Sequence, residues 1–269
     1  MRILLPTFAI LALAALSFSI RASVDAKDER NVVVSHATPH DRLFSVIFDA
    51  DKGVAVGEAG LIMGTTDAGK SWTRERAPTD LAMIDVASNG TRRIAVGQMG
   101  LILVDDGSGT WKKVDSGTDR RLLQVDLNKN GLAFIVGAFG TLLKSKDGGE
   151  TWESVAPNWA TLYDSGEGDT AVLRDEPTNY LVDVQEDGSV LIGGEYGQIM
   201  RSPDGGICWD IVYRHPSDSG ESAPTFFALS IRDDGAGYAV GQSGLVARTA
   251  DHGRTWGYVK TPVDGNLFG

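Results

Sequence analysis

The chain has 269 residues with 25 basic and 36 acidic side chains, which gives a formal net charge of −11 at pH 7. This acidic balance argues against nucleic acid as a partner, because nucleic acids select basic surfaces. The length allows one large all-β domain or two small ones, and the single cysteine excludes an internal disulfide.

Residues 1–22 have the layout of a secretory signal peptide. Arg2 gives a short basic start, an apolar run follows, and the segment ends on the small residue Ala22, where we expect cleavage. The run is nearly long enough to span a bilayer, so an uncleaved anchor would also fit. Without this segment the chain keeps 23 basic and 36 acidic residues, a net charge of −13. We therefore predict an exported protein.

Residues 23–41 are predicted to form either a linker or a lone strand that completes a ring, with Val32–Val34 as its apolar part. His36 and His40 lie four residues apart, a spacing that would suit two metal ligands on a helix. Pro39 opposes a helix here, and no carboxylate or cysteine pattern completes a site. We expect no metal and no other cofactor.

From residue 42 onward a module of four short strands repeats five times, at about 42–78, 79–116, 117–157, 179–214 and 224–261. The second strand of each module ends in a Gly-x-x-Gly motif, whose first glycines are spaced by 40, 40, 57 and 47 residues. Four-stranded units at this spacing are typical of β-propeller blades. Insertions at 158–178 and 215–223 account for the two longer spacings. The sequence predicts an all-β propeller.

Each module closes with a turn in which an Asp stands five residues before a Trp. The five pairs are Asp67 and Trp72, Asp106 and Trp111, Asp147 and Trp152, Asp204 and Trp209, and Asp251 and Trp256. The Asp side chain can accept hydrogen bonds from backbone N–H groups ahead of it, and a Gly supplies a positive φ. The Trp carries a large apolar surface toward the core. We predict five rigid structural turns with buried Trp side chains, and no catalytic role for these carboxylates.

Two features of these turns could suggest other chemistry. Cys208 takes the position that Ser or Thr occupies before the Trp, and we interpret it as a small buried substitute rather than a reactive thiol. The stretch Gly64–Ser71 matches the phosphate-binding pattern G-x-x-x-x-G-K-[ST]. That function needs a helix after the Lys, whereas a strand pattern follows here, so we expect no nucleotide to bind.

The loop before the first strand and the turn between the second and third strands of an up-and-down blade emerge at the same end. We call the candidate partner-binding residues at this end the mouth: Arg42, Glu58, Gln98, Met99, Arg120, Arg121, Phe139, Glu195, Tyr196 and Gln242. Aromatic and Met side chains among polar groups suit a protein contact. Trp159 and Tyr163 of the long insertion could add anchors.

An enzymatic alternative is a sialidase-like or other glycoside hydrolase. Such enzymes need two carboxylates about 5–10 Å apart, and Glu58 and Glu195 are candidates, with Arg42, Arg120 and Arg121 to pair a substrate carboxylate. The competing interpretation treats these side chains as solvated rim charges. No position-specific catalytic pattern accompanies them, so we favour the second interpretation.

The repeated turn resembles the Asp-box of sialidases, some glycoside hydrolases and sortilin-type receptors. The stretch Gly131–Trp152, with 52–72 and 237–256, resembles the photosystem II stability and assembly factor family. The resemblance covers roughly residues 42–269 and implies a seven-bladed propeller that helps to insert a reaction-centre subunit. It thus implies a non-enzymatic scaffold for a protein partner, in the periplasm or, in a photosynthetic host, the thylakoid lumen.

The chain departs from this family in charge and in blade number. The family uses a basic patch, of which Arg120 and Arg121 would be what remains in this acidic chain. Five blades are complete, and Asn266–Gly269 aligns with the start of a sixth. We expect either that terminal strands close the ring or that a longer natural chain supplies further blades.

Overall fold

The computed structural model describes residues 32–34, 41–163, 176–216 and 223–268. The predicted signal peptide, His36 and His40 lie outside these ranges. Five antiparallel sheets follow one another along the chain, and each has four strands in sequence order; the first carries one more. This arrangement confirms the predicted all-β propeller fold.

The strands of the first two sheets are short and end at the predicted turns. The first sheet contains β1 (Val32–Val34), β2 (Leu43–Asp49), β3 (Lys52–Gly57), β4 (Ile62–Thr65) and β5 (Trp72–Glu75). The second contains β6 (Met83–Ser88), β7 (Arg93–Gly97), β8 (Ile102–Asp105) and β9 (Lys112–Val114).

The remaining sheets repeat this pattern around one short helix. The third sheet contains β10 (Leu122–Leu127), β11 (Ala133–Gly137), β12 (Leu142–Ser145) and β13 (Glu153–Ser154), and α1 (Trp159–Tyr163) follows it. The fourth contains β14 (Asn179–Val184), β15 (Val190–Gly194), β16 (Gln198–Ser202) and β17 (Asp210–Arg214). The fifth contains β18 (Phe226–Ile231), β19 (Gly237–Gly241), β20 (Val246–Thr249) and β21 (Gly257–Tyr258).

The core lies between consecutive sheets, because both faces of an inner sheet are apolar. Four clusters of buried side chains each join one sheet to the next along the chain. Between the first two sheets, for example, Val54 and Ile62 pack with Met83 and Val86. The same strand positions recur at every interface, so the repeat in the sequence is a repeat in packing.

The two end sheets differ from the inner ones in exposure. Val46 of β2 is 55% exposed, whereas its equivalents Val86 and Val125 are 4% exposed. Within the described ranges, no cluster of buried side chains joins the fifth sheet to the first. β1 pairs with β5 and so extends the first sheet at its outer edge, with Val34 opposite Trp72.

The Gly-x-x-Gly motifs form tight turns between the second and third strands, and four of the five are 3-10 helices. A Cβ at the first glycine would collide with the backbone that enters the first strand, as at Gly137 with the carbonyl of Arg121. The second glycine has a positive φ, +67° at Gly140, a conformation that favours glycine. The glycines of the motif therefore allow the turn to approach the backbone before the first strand closely at the end of each blade.

In four of the five Asp turns the Asp holds the turn as predicted. Asp147 accepts the backbone N–H of Thr151 at 3.0 Å and its hydroxyl at 2.6 Å. In three of these four turns the Trp that follows donates from Nε1 to a carbonyl within the turn, as Trp152 does to Gly149 at 2.9 Å. Burial alone would raise the pKa of Asp147, but the hydrogen bonds from Thr151 and Ser145 lower it to about 2.

The second turn corrects the prediction for Asp106. Here Asp105, not Asp106, accepts the backbone N–H of Thr110 at 2.8 Å and that of Gly107 at 2.8 Å. Asp105 pairs with Arg93 across the sheet at the position where the first blade pairs Thr65 with Gly53. The turn is one residue shorter than the other four. Counted back from the Trp, the structural Asp therefore stands one position earlier than in the other turns.

Two predictions of burial in the turns are wrong. Only Trp111 of the five Trp side chains is buried, at 5% exposure, and the other four are partly buried. Cys208 is exposed rather than buried. It lies at the end of a solvent-facing turn, where its N–H donates to Asp204 at 2.8 Å. The hydrogen bond and negative charge of Asp204 raise the pKa of the Cys208 thiol, which disfavours the reactive thiolate.

The two kinds of Trp should differ in their effect on stability. We expect Trp111→Ala to lower the free energy of unfolding by about 3–5 kcal/mol, as for other buried Trp truncations. Trp152→Ala should cost less, because the side chain already contacts solvent. Urea unfolding of both variants measures the difference, and equal losses would contradict this assignment of the core.

Candidate partner-binding site at the mouth

The mouth is the end of the sheets where the Gly-x-x-Gly turns and the entries to the first strands meet. In each turn the residue before the second glycine has a positive φ, for example 53° at Met99 and 55° at Phe139. The αL backbone directs these side chains outward, so Met99 is 68% and Phe139 56% exposed. The second and third blades thus present two large apolar side chains at equivalent positions.

Three polar members of the mouth stabilise the fold. The side-chain oxygens of Gln98 and Gln242 accept the N–H groups of Ala82 and Thr225 at 3.3 Å each. Glu195 accepts the N–H of Thr178 in the same way at 2.7 Å. Each of these side chains caps the backbone just before the first strand of its own blade.

Arg120 and Phe139 form the most developed part of the mouth. The guanidinium of Arg120 lies 4.6 Å from the centroid of the Phe139 ring, in cation–π geometry. Its Nη2 atom lies 4.0 Å from Oε1 of Glu176, and all three residues line a groove of about 450 Å³. The lining of this groove also includes Thr118 and Thr141. The groove therefore combines an aromatic ring, a cation and hydroxyl groups.

Other predicted members lie at the mouth but contribute less surface. Arg42 and Glu58 form an exposed ion pair at 3.3 Å. Arg121 is exposed, and its carbonyl accepts the N–H of Ala138 at 3.0 Å. Tyr196 is partly buried and packs against the cluster between the third and fourth sheets.

The insertion does not supply the anchor expected from Trp159. This side chain is 4% exposed, and its Nε1 donates to the carbonyl of Gly140 at 3.0 Å. Trp159 thus fastens α1 to the Gly-x-x-Gly turn of the third blade, a role that insertion sequences alone do not reveal. The side chain of Tyr163 lies outside the described part of the structure.

The stretch Gly64–Ser71 lacks the helix that the phosphate-binding pattern requires after its Lys. It runs from the end of β4 through the first Asp turn, and β5 begins at Trp72 with no helix after the Lys. Asp67 accepts the backbone N–H and the hydroxyl of Ser71, which lower its pKa to about 2. The P-loop pattern therefore coincides with an Asp turn.

Across the described ranges, no helix is long and apolar enough to cross a membrane. Among the same residues, no group of three or more His, Cys, Asp or Glu side chains is arranged to hold a metal ion.

The fold and the mouth define a repeat β-propeller with a groove at one end. No family model matches the chain. It is 22% identical over 222 residues to the photosystem II assembly lipoprotein Ycf48 of Synechococcus sp. (strain CC9902). That alignment covers 70% of this chain and 64% of the relative, so the chain spans less than two thirds of that protein's length. The predicted resemblance to photosystem II assembly factors is thereby confirmed.

Solved structures agree on the fold. YCF48 from Cyanidioschyzon merolae superposes with a TM-score of 0.56 at 17% identity, over 89% of this chain and 92% of that one. The WD40 β-propeller domain of Doa1 gives a TM-score of 0.61 at 12% identity, over 88% and 74% of the two chains. A GH74 xyloglucanase from Xanthomonas campestris gives 0.55 at 18% identity, over 81% and 32%. At these identities the likeness shows the propeller fold alone.

Proposed function

We propose that the protein is a non-enzymatic, exported scaffold that binds a segment of a membrane-complex subunit during assembly. The observation that carries this proposal is the pairing of exposed Phe139 with Arg120 beside the groove, with exposed Met99 at the equivalent position of the preceding blade. Large apolar side chains and Arg are the residue types that contribute most at protein interfaces. The similarity to a photosystem II assembly lipoprotein supports a partner of this kind.

The polar groups of the groove suit an extended peptide. Arg120 offers donors to a carboxylate or a backbone carbonyl, and its pairing with Glu176 is long enough to be exchanged for a ligand. Thr118 and Thr141 add hydroxyl groups to the lining of the groove. A peptide that combines an apolar side chain with an acidic group would contact both the ring and the guanidinium.

The mouth carboxylates favour binding over glycoside hydrolysis. Glu195 holds the entry to β14, and Glu58 is paired with Arg42 in its own blade. A catalytic pair would instead face one scissile bond from two sides. Turnover of a fluorogenic sialoside or glucan, abolished by Glu195→Gln, would contradict the non-enzymatic assignment.

The test is affinity capture of the exported protein from the membranes of its own host, read by mass spectrometry. Wild type should recover a membrane-complex subunit, and Met99→Asp/Phe139→Asp should recover at least roughly tenfold less, because both apolar anchors are replaced by charges. The matched control is Ile207→Asp, which changes an equally large side chain, 77% exposed, in an Asp turn at the opposite end.

A second measurement makes the result direct. Synthetic soluble segments of the captured subunit are titrated against wild type and both variants by fluorescence anisotropy. Binding should be lost only in the mouth variant. Equal recovery by all three proteins, or no membrane protein with any of them, would overturn the proposal.

A further inference from the structure

The interface between the first and second blades contains a cavity of about 320 Å³ at the end opposite the mouth. It is partly open to solvent and is bordered by the β2–β3 hairpin, the first Asp turn, the β6–β7 hairpin and the second Asp turn. Inter-blade spaces of a propeller are normally filled by side chains. The cavity therefore needs an explanation from the sequence of these two repeats.

Comparison of the repeats identifies what opens it. At each of the next three interfaces, two residues that lie opposite each other in the second and third strands of one blade face the Asp turn of the following blade. These pairs are Ile94 and Val104, Phe134 and Lys144, and Leu191 and Arg201. Ile94 approaches Gly149 and Leu191 approaches Gly253, and Lys144 donates to the carbonyl of Gly205.

The first blade has Val54 and Gly64 at these positions, so one side chain is missing altogether. The turn that it faces, in the second blade, is also the one that is a residue shorter. A small residue on one side and a shorter turn on the other leave the space that the remaining interfaces fill. The cavity therefore results from the sequence of these two repeats and is not a general property of the fold.

The lining of the cavity is polar and nearly neutral. Glu75 and Arg93 form part of its wall and neutralise each other at 3.1 Å. Asp49 and Lys52 add one charge of each sign. Within the described ranges, neither of these two charged side chains, nor the hydroxyl of Thr66 or Thr73, has a hydrogen bond or ion pair to another residue. The cavity thus offers a free acceptor, a free donor and two groups that can do both.

We propose that this cavity binds a neutral polyhydroxylated small molecule, such as a sugar or a sugar alcohol. Every hydroxyl of such a ligand is both donor and acceptor, which matches the lining. The unpaired charges of the lining, on Asp49 and Lys52, have opposite signs and give an ionic ligand no net attraction, and the described residues form no metal-holding cluster here. The volume lies at the lower end of the range for small-molecule sites. This site is independent of the mouth.

The experiment uses the full chain with D-glucose, sorbitol and sucrose as probes, followed by saturation-transfer NMR and calorimetric titration. At least one probe should bind saturably. Thr66→Val/Thr73→Val, which removes two hydroxyls at constant volume, should weaken that binding roughly tenfold or more. Lys52→Met is a second variant with the same expected direction, because it removes the free donor.

The matched control is Thr225→Val, at the opposite end of the fifth blade, which should bind as wild type does. Absence of saturable binding for all three probes would overturn the proposal. So would equal weakening by the control, or binding of sulfate or phosphate at the same residues. Capture of a membrane partner by the mouth is unaffected by these variants, so failure of one proposal is distinguishable from failure of the other.

Discussion

Arg93→Ala should lower the free energy of unfolding by about 3–5 kcal/mol, the range for breaking a buried ion pair from one side. Arg93 joins the first two blades through Glu75 of β5, at 3.1 Å, and Asp105 of β8, at 2.6 Å. The side chain of Asp105 is fully buried, and those of Arg93 and Glu75 are nearly so. Removal of the guanidinium leaves two carboxylates unpaired.

Trp111 depends on the same group of residues. Its Nε1 donates to Glu75 at 2.6 Å, and the guanidinium of Arg93 lies 5.0 Å from its ring centroid. Burial alone would lower the pKa of Arg93, but Glu75 and Asp105 raise it above its ordinary value, so the guanidinium remains charged. Loss of Arg93 therefore also disturbs the one fully buried Trp of the repeat.

The neighbouring residue provides the matched control. Arg92 is also paired with a glutamate, Glu150, but both side chains are substantially exposed. Arg92→Ala should therefore cost at most about 1 kcal/mol. Urea unfolding of both variants decides the prediction, and equal losses would contradict it. Glu75→Gln/Arg93→Met/Asp105→Asn should regain part of the stability, since it leaves no unpaired charge.

The fold could be predicted because the same pattern of four strands occurs five times in the sequence. Periodic apolar runs, Gly-x-x-Gly motifs and Asp turns each have one physical cause, and the structure places them at the ends of the expected strands. The extent of Trp burial was less predictable. A Trp at the start of a short outer strand has one face toward solvent, whereas Trp111 packs in the cluster between the first two sheets and also contacts Glu75 and Arg93.

The site was only partly predictable. Alignment of the repeats shows where a residue lies in its blade, but it does not show which groups its side chain contacts. It placed Met99 and Phe139 at the exposed mouth correctly. It could not show that Gln98 caps a strand entry or that the buried side chain of Trp159 fastens α1 to the third blade. The Arg93 network was missed, although its signal is in the sequence: the second repeat has Asp105 where the other repeats have Ser or Thr.

Side chains rather than backbone hydrogen bonds link the innermost strands of neighbouring blades. Asp85 of β6 accepts the N–H of Val125 in β10 at 3.0 Å. Asp126 of β10 accepts the N–H of Val184 in β14 at 2.6 Å. The N–H groups of Val125 and Val184 face away from the other strands of their own sheets, and these carboxylates supply the missing acceptors. This role explains why acidic residues occur in the interior. Burial raises the pKa of Asp85 and of Asp183, and it raises that of Asp126 to about 7.

This arrangement should make the protein less stable as the pH rises from about 4 to 7. The ordinary pKa of Asp126 is 3.8, so in this window the unfolded chain has lost a proton that the folded chain keeps. The stabilising contribution of the raised pKa is fully present below the unfolded value and is lost as the pH passes through the folded one. At 1.36 kcal/mol per unit, the loss is roughly 4 kcal/mol across the window. Asp85 and Asp183 act in the same direction.

Urea unfolding at intervals between pH 4.5 and 7.5 measures this slope, and Asp126→Asn should flatten it. The amide is neutral at every pH, and its oxygen can still accept the N–H of Val184. The control is Asp234→Asn, which should keep the wild-type slope. The pKa of Asp234 is lowered by its hydrogen bonds from Ala236 and Arg232, so this exposed carboxylate is ionised in both states over most of the window. Wild-type stability that is constant or rises with pH, or an unchanged slope in Asp126→Asn, would show that Asp126 is not protonated in the folded protein.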